Sequence, residues 1–151
     1  MGLGKPSPDT SNYYSGLYDK SPGIASVGSY QAAGKPYVSG SAVGGLAAGA
    51  SLSFSLPNVS KSITLLPLSD VADTANLHFA PSSAGPAVAT DHGIPFPAVG
   101  APAITIDVKC KEVFVTNTGG GPMNQGFTFY ASLTGIATSQ MFALTGSGVT
   151  E

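Results

Sequence analysis

Between Ala103 and Leu133 the chain alternates apolar and polar residues with a period of two, and that period narrows the structures open to it. Ile104, Ile106 and Val108 alternate with Thr105, Asp107 and Lys109, and Phe127, Phe129, Ala131 and Leu133 alternate with Thr128, Tyr130 and Ser132. Successive side chains of a strand point to opposite faces, so strict alternation describes strands with one buried face. Gly119-Gly120-Gly121-Pro122 separates the two runs and reads as a loop. The centre of the chain is therefore expected to be antiparallel β-structure with a one-sided core.

The same pattern recurs upstream. Leu52, Phe54 and Leu56 alternate with serines up to a turn signal at Pro57-Asn58. Ile63 and Leu65 alternate with Ser62 and Thr64, and Pro67 ends or edges that strand. Ser69 to Asp73 reads as a turn or one helical turn. Leu77 and Phe79 alternate with Asn76, His78 and Ala80, which puts His78 on the solvent face. Pro81 to Pro102 is a long irregular stretch containing Asp91-His92-Gly93 and Ile94-Pro95-Phe96-Pro97, and loops of that length are usually functional or disordered. Cys110-Lys111-Glu112 reads as a bend between two short strands. Gln140 to Thr145 reads as a last strand with Phe142 and Leu144 on one face. Six to eight short strands without a convincing helix predict an all-β, antiparallel β-sandwich of jelly-roll or immunoglobulin-like kind, and the pattern does not choose between the two. The expected core is Phe54, Ile63, Leu65, Leu77, Phe79, Ile104, Ile106, Val108, Phe127, Phe129 and Leu133.

Residues 1–48 read differently from residues 49–151. Gly, Ser, Ala and Pro dominate, aliphatic residues show no period, and Gly-Lys-Pro occurs at Gly4-Lys5-Pro6 and again at Gly34-Lys35-Pro36. Such a segment cannot hold a core of its own. It is expected to be an extended N-terminal arm, with the Gly/Ala-rich Val43 to Ala50 leading into the sandwich domain at 49–151. Tyr13, Tyr14, Tyr18, Tyr30 and Tyr37 lie in this arm, five of the six tyrosines of the chain. Tyrosine supplies large contact area at low entropy cost, so these five are the candidate partner-binding residues. A solvated tail is the plainer alternative.

Composition excludes some functions. Charged residues make up 9% of the chain, against roughly 25% in an ordinary soluble protein. A surface so poor in charge favours contact with other protein, although a plain Ser/Thr-rich β surface has the same look. All six basic residues are scattered lysines and the net charge is -2, so the basic stripe that nucleic-acid binding requires is missing. Without Trp, sugar stacking would fall to Phe or Tyr. Cys110 is the single cysteine; it excludes an internal disulfide and reads as a small buried thiol on an apolar face. The start of the chain lacks the apolar stretch of a secretory signal, and no run reaches the length of a membrane span, so a soluble chain made in a cytoplasm is expected.

The search for reactive constellations is mostly negative. The Gly-Lys pairs lack phosphate-loop spacing, and Asn124 stands where a dinucleotide fingerprint beginning at Gly119 would need its third glycine. Asp70, Asp73, His78, Asp91 and His92 are the polar residues best placed to converge on a metal, but they lack ligand spacing. The chain is thus expected to be no enzyme and to hold no metal or cofactor. Asn58-Val59-Ser60 matches a glycosylation sequon that an unsecreted chain would not use.

Five strand phrases carry a resemblance. They are Gly34-Lys35-Pro36-Tyr37-Val38, Val59-Ser60-Lys61-Ser62-Ile63-Thr64, Leu77-His78-Phe79-Ala80, Val108-Lys109-Cys110-Lys111-Glu112-Val113-Phe114, and Tyr130-Ala131-Ser132-Leu133-Thr134-Gly135-Ile136. Together they resemble small β-sandwich virion structural proteins of tailed bacteriophages, marine and cyanobacterial phages in particular. The resemblance spans most of Gly34 to Ile136 and rests on strand phrases, so it brings no catalytic residues. It implies a capsid decoration or cement protein on the outer shell, with the major capsid protein and sister subunits as partners. The sister subunits would form a homo-oligomer, a trimer being one form. The location implied is the virion, assembled in the host cytoplasm. Alternatives are a neck, tail or fibre-base protein, or a module binding host-surface glycans.

Overall fold

The computed structural model describes residues 35–80 and 92–142. Eight strands run through them: β1 (Lys35–Gly40), β2 (Ser51–Ser55), β3 (Asn58–Leu65), β4 (Ala75–His78), β5 (Ile94–Pro95), β6 (Ile104–Ile106), β7 (Glu112–Asn117) and β8 (Thr128–Ala137). A single 3-10 turn, Thr138–Gln140, follows β8. The strands form two four-stranded antiparallel sheets, β1-β8-β3-β6 and β2-β7-β4-β5. The protein is an all-β sandwich, as the alternation predicts.

Strand order decides the topology. The pairs β1·β8, β2·β7, β3·β6 and β4·β5 are those of one long hairpin, β1–β4 lying against β5–β8, rolled so that its strands share out between two sheets. That is jelly-roll connectivity. An immunoglobulin sandwich keeps several consecutive strands, such as A and B or F and G, in one sheet; here only β4 and β5 are such neighbours.

The core lies between the sheets. Ile63 and Leu65 of β3 and Phe129, Ala131 and Leu133 of β8 face Leu77 of β4 and Val113 and Val115 of β7. Phe54 meets Phe129 edge-on at 5.1 Å between ring centroids and Phe127 at 5.9 Å, so one ring ties β2 to the opposite sheet. Phe54, Phe79, Ile106 and Val108 from the expected core are partly buried and pack against it. Ile104 is not a core residue: it is 39% exposed. Its three-residue strand β6 is the edge of its sheet, and the edge of the other sheet, β5, is only two residues long. Little is left there to cover the side chain.

Two boundaries differ from the expectation. The first is the start of the sandwich, at Lys35 instead of residue 49. β1 pairs with β8 over six positions, from Lys35↔Leu133 to Gly40↔Thr128. Its period was hidden because few of its residues are apolar, as suits an edge strand with one neighbour. Ser41 N–H donates to the Phe127 carbonyl. Counting back in twos from there, Pro36 falls where the backbone N–H would point away from β8, so the missing donor costs the sheet nothing. The linker following β1 is likewise part of the fold, since Leu46 is buried in the core. The second boundary is the C-terminal strand expected at Gln140 to Thr145. Thr138–Gln140 is a 3-10 turn, Met141 packs with Val59 and Ile136, and Phe142 is exposed. Residues beyond 142 lie outside the described part, as do 1–34 and 81–91.

Candidate interaction site

Connections 41–50, 66–74, 96–103 and 118–127 all lie at one end of the sandwich, because the strands are antiparallel and each of these joins the same ends. They are laced together by backbone bonds: Gly44 N–H to Met123 O, Met123 N–H to Leu46 O, and Leu68 N–H to Pro97 O. Asp73, buried at the base of the 66–74 turn, accepts the Asn124 N–H at 2.7 Å on one carboxylate oxygen and the Gln125 N–H at 2.9 Å on the other. Two backbone donors of the 118–127 loop are thus satisfied by one side chain. Asp70 accepts the Ala72 N–H at 2.8 Å and the side-chain amide of Asn124 at 3.3 Å. Gly126, at φ 74°, lets the 118–127 loop pass close to Ser41, whose carbonyl oxygen would stand 2.5 Å from an added Cβ.

Between these loops lies an open groove of about 420 Å³. Leu68, Ala75 and Phe96 give it an apolar floor. Val71, 88% exposed, and Val99, 44% exposed, stand at its rim. Asp70, Thr74, Asn76 and Thr118 supply polar groups along its wall. The combination suits an amphipathic group with a flat apolar body and one polar end. Sequence reading marked Asp70 and Asp73 only as metal candidates. The groove itself has no local sequence signal, since its walls come from three segments distant in the chain.

The metal candidates do not come together. Asp70 and Asp73 share one turn, where backbone and amide donors occupy them. His92 is exposed beyond β4, and Asp91 lies outside the described residues. Among the described residues no three His, Cys, Asp or Glu side chains group closely enough to hold a metal ion. His78 is not on a solvated face, as the alternation had it, but fully buried. The alternation itself holds, for His78 pairs with Phe114 while Leu77 points to the core. The outer face of β4 is simply closed at that point. There His78 Nδ1–H donates to the Ala80 carbonyl at 2.6 Å, which leaves Nε2 to accept from the Thr116 hydroxyl at 2.8 Å. Thr116 also bonds the Ser51 hydroxyl, and the imidazole stacks on Phe114. Burial lowers the pKa of His78, partly offset by the bond to Ala80.

Cys110 is fully buried. Burial pushes its thiol up to about 11, against the opposing pull of its contact with Ser60 and a backbone bond at Glu112. Ser60 stands in an irregular part of β3, where the register with β8 shifts. Its hydroxyl donates to the Val108 carbonyl at 2.6 Å and accepts the Cys110 N–H at 2.9 Å, fastening the 107–111 bend to the sheet. The amide of Asn58 in the sequon donates to the Ile136 carbonyl.

Of the five candidate partner-binding tyrosines, Tyr13, Tyr14, Tyr18 and Tyr30 lie outside the described residues. Tyr37 sits in β1, half-buried, with its ring 6.2 Å from that of Phe129. Its ring is engaged within the fold. Compared with known proteins, the chain matches no family model, no curated sequence and no solved structure.

Proposed function

We propose that this chain is a structural protein of a tailed-phage virion, a decoration or cement protein that binds the outside of the capsid. Its partners on this reading are the major capsid protein and sister subunits. Jelly rolls serve in viral capsids as well as in lectins and enzymes, so the fold is compatible with the role without assigning it. The observation that supports it best is the way residues 1–34 join the sandwich. They lead directly into β1, which is bound to the longest strand, β8, along its whole length. Tension applied to the N-terminal segment would load those hydrogen bonds together in shear, since they run across the strand direction. Tyr37 on Phe129 adds a packed contact at the same place. A tyrosine-bearing segment fastened in this way is suited to act as a strap between subunits. Many weak attachments of that kind add through avidity on a symmetric shell.

The test is deletion of residues 1–34, leaving β1 intact, followed by mixing with particles that lack the protein. The shortened chain is expected to fold and to bind poorly. Trypsin is expected to cut the free full-length chain after Lys20 and to be blocked there on the particle. Full occupancy by the shortened chain would remove the strap from the reading, and failure of the full-length chain to bind such particles would remove the capsid assignment.

A further inference from the structure

We infer that the loop-end groove receives the Tyr13–Lys20 segment of a sister copy, a tyrosine ring entering between Val71 and Val99 and resting on Phe96. In naming a sister copy as the source, this rests on the proposed strap role. The groove, at about 420 Å³, has room for a phenol ring with part of its backbone. Its apolar floor matches the ring body, and Asp70 stands on its wall as an acceptor for the phenolic O–H, a carboxylate oxygen being able to take more than one hydrogen bond.

Topology favours a neighbour's segment over the chain's own. β1 and β2 form one side of the sandwich and β5 and β6 the other, because loops 41–50 and 96–103 join the sheets at those edges. The groove lies along Asn76, Pro95 and Phe96, on the β5 side and at the loop end. β1 lies on the opposite side and runs toward the loop end, so Lys35 stands at the far end of the sandwich from that chain's groove. The fifteen residues from Lys20 to Lys35 can span up to about 50 Å when stretched. A segment of that reach can extend beyond its own sandwich, whereas the home groove, at the end opposite Lys35, requires it to double back.

A mixed-label experiment on the full chain tests this. One copy is 15N-labelled and carries no probe. The other is unlabelled and carries a nitroxide on the Ser15→Cys variant, Cys110 being too buried to react. The two are mixed at about 1 mM each, where a contact with a Kd of about 1 mM is roughly two-fifths formed. The expected result is selective loss of amide signals from Val71, Thr74, Val99 and Thr118, reversed on reducing the nitroxide. The loss should disappear with Tyr13, Tyr14 and Tyr18 replaced by Ser in the probe copy, or with Val71→Asp and Val99→Asp in the labelled copy. Those two valines are exposed, so their replacement leaves the fold standing. Broadening spread over the outer face of β1-β8-β3-β6, no broadening at all, or broadening only when probe and label share one chain would overturn the inference. A positive result with a chain that does not bind particles would leave this contact in place and remove the capsid assignment alone.

Discussion

Replacing Phe129 by Ala measures how far the sandwich depends on contact between its two sheets. The ring is fully buried, touches Tyr37 of β1 at 6.2 Å, and meets Phe54 of β2 edge-on at 5.1 Å. Transfer of a buried Phe side chain to water accounts for about 1.5–3 kcal/mol. The cavity left between sheets that cannot fully collapse raises the expected total to about 3–5 kcal/mol. Each lost aromatic pair adds to that through its geometry, within the same range. For a domain of this size, with a total stability of about 5–15 kcal/mol, such a loss brings the variant close to unfolding. In urea the midpoint should fall by more than about 1 M, since m is about 1–3 kcal/mol/M. Phe129→Leu should fall between wild type and Phe129→Ala, and Val71→Ala at the exposed groove rim should stay within about 0.5 kcal/mol of wild type. A loss below about 1 kcal/mol for Phe129→Ala would refute the placement of this ring at the junction of the sheets.

Gly40→Ala should loosen β1 from β8, because the new methyl would stand 2.1 Å from the Phe127 carbonyl oxygen; earlier proteolysis within 35–40 at unchanged far-ultraviolet sheet content would show it. His78 should make stability fall with pH: its folded pKa is lowered, so below the ordinary value of 6.5 the unfolded chain takes up a proton that the folded chain refuses, and the loss continues down to the folded pKa. Urea midpoints measured from pH 7.5 to 5 should therefore drop more for wild type than for His78→Gln. Cys110 has its folded pKa raised from 9.0 to about 11, so stability should fall as pH rises above 9, and alkylation at pH 8 should be slow until denaturant is added; fast labelling of the folded chain would contradict its burial. Asp73→Ala should strip the Asn124 and Gln125 N–H groups of their acceptor, cost about 1–3 kcal/mol, and loosen the groove end, seen as faster amide exchange at those two residues.

Sequence alone determined the class of this fold and part of its interior. Period-two runs name β2, β3, β4, β6 and β8 and place Ile63, Leu65, Leu77, Phe127, Phe129 and Leu133 inside, because alternation is a local property that survives whatever the strand pairs with. Local residue types marked the turn at Ser69 to Asp73, the bend at Cys110-Lys111-Glu112 and the glycine loop before β8 for the same reason. Edges were the weak point. β1 has too few apolar residues to show its period, and Ile104 has an apolar residue's identity but an edge strand's surroundings, so neither could be judged before its neighbours were known. Whether the sandwich was a jelly roll depended on which strand pairs with which, and pairing partners such as Gly40 and Thr128 are 88 residues apart in the chain. His78 shows the limit most plainly. Its local period places it correctly off the core face, but whether that face meets water is decided by Thr116, Phe114 and Ala80 around it. The groove belongs wholly to tertiary structure. Its floor and rim come from loops that only the rolled hairpin brings to one end, and no stretch of sequence contains enough of it to be read.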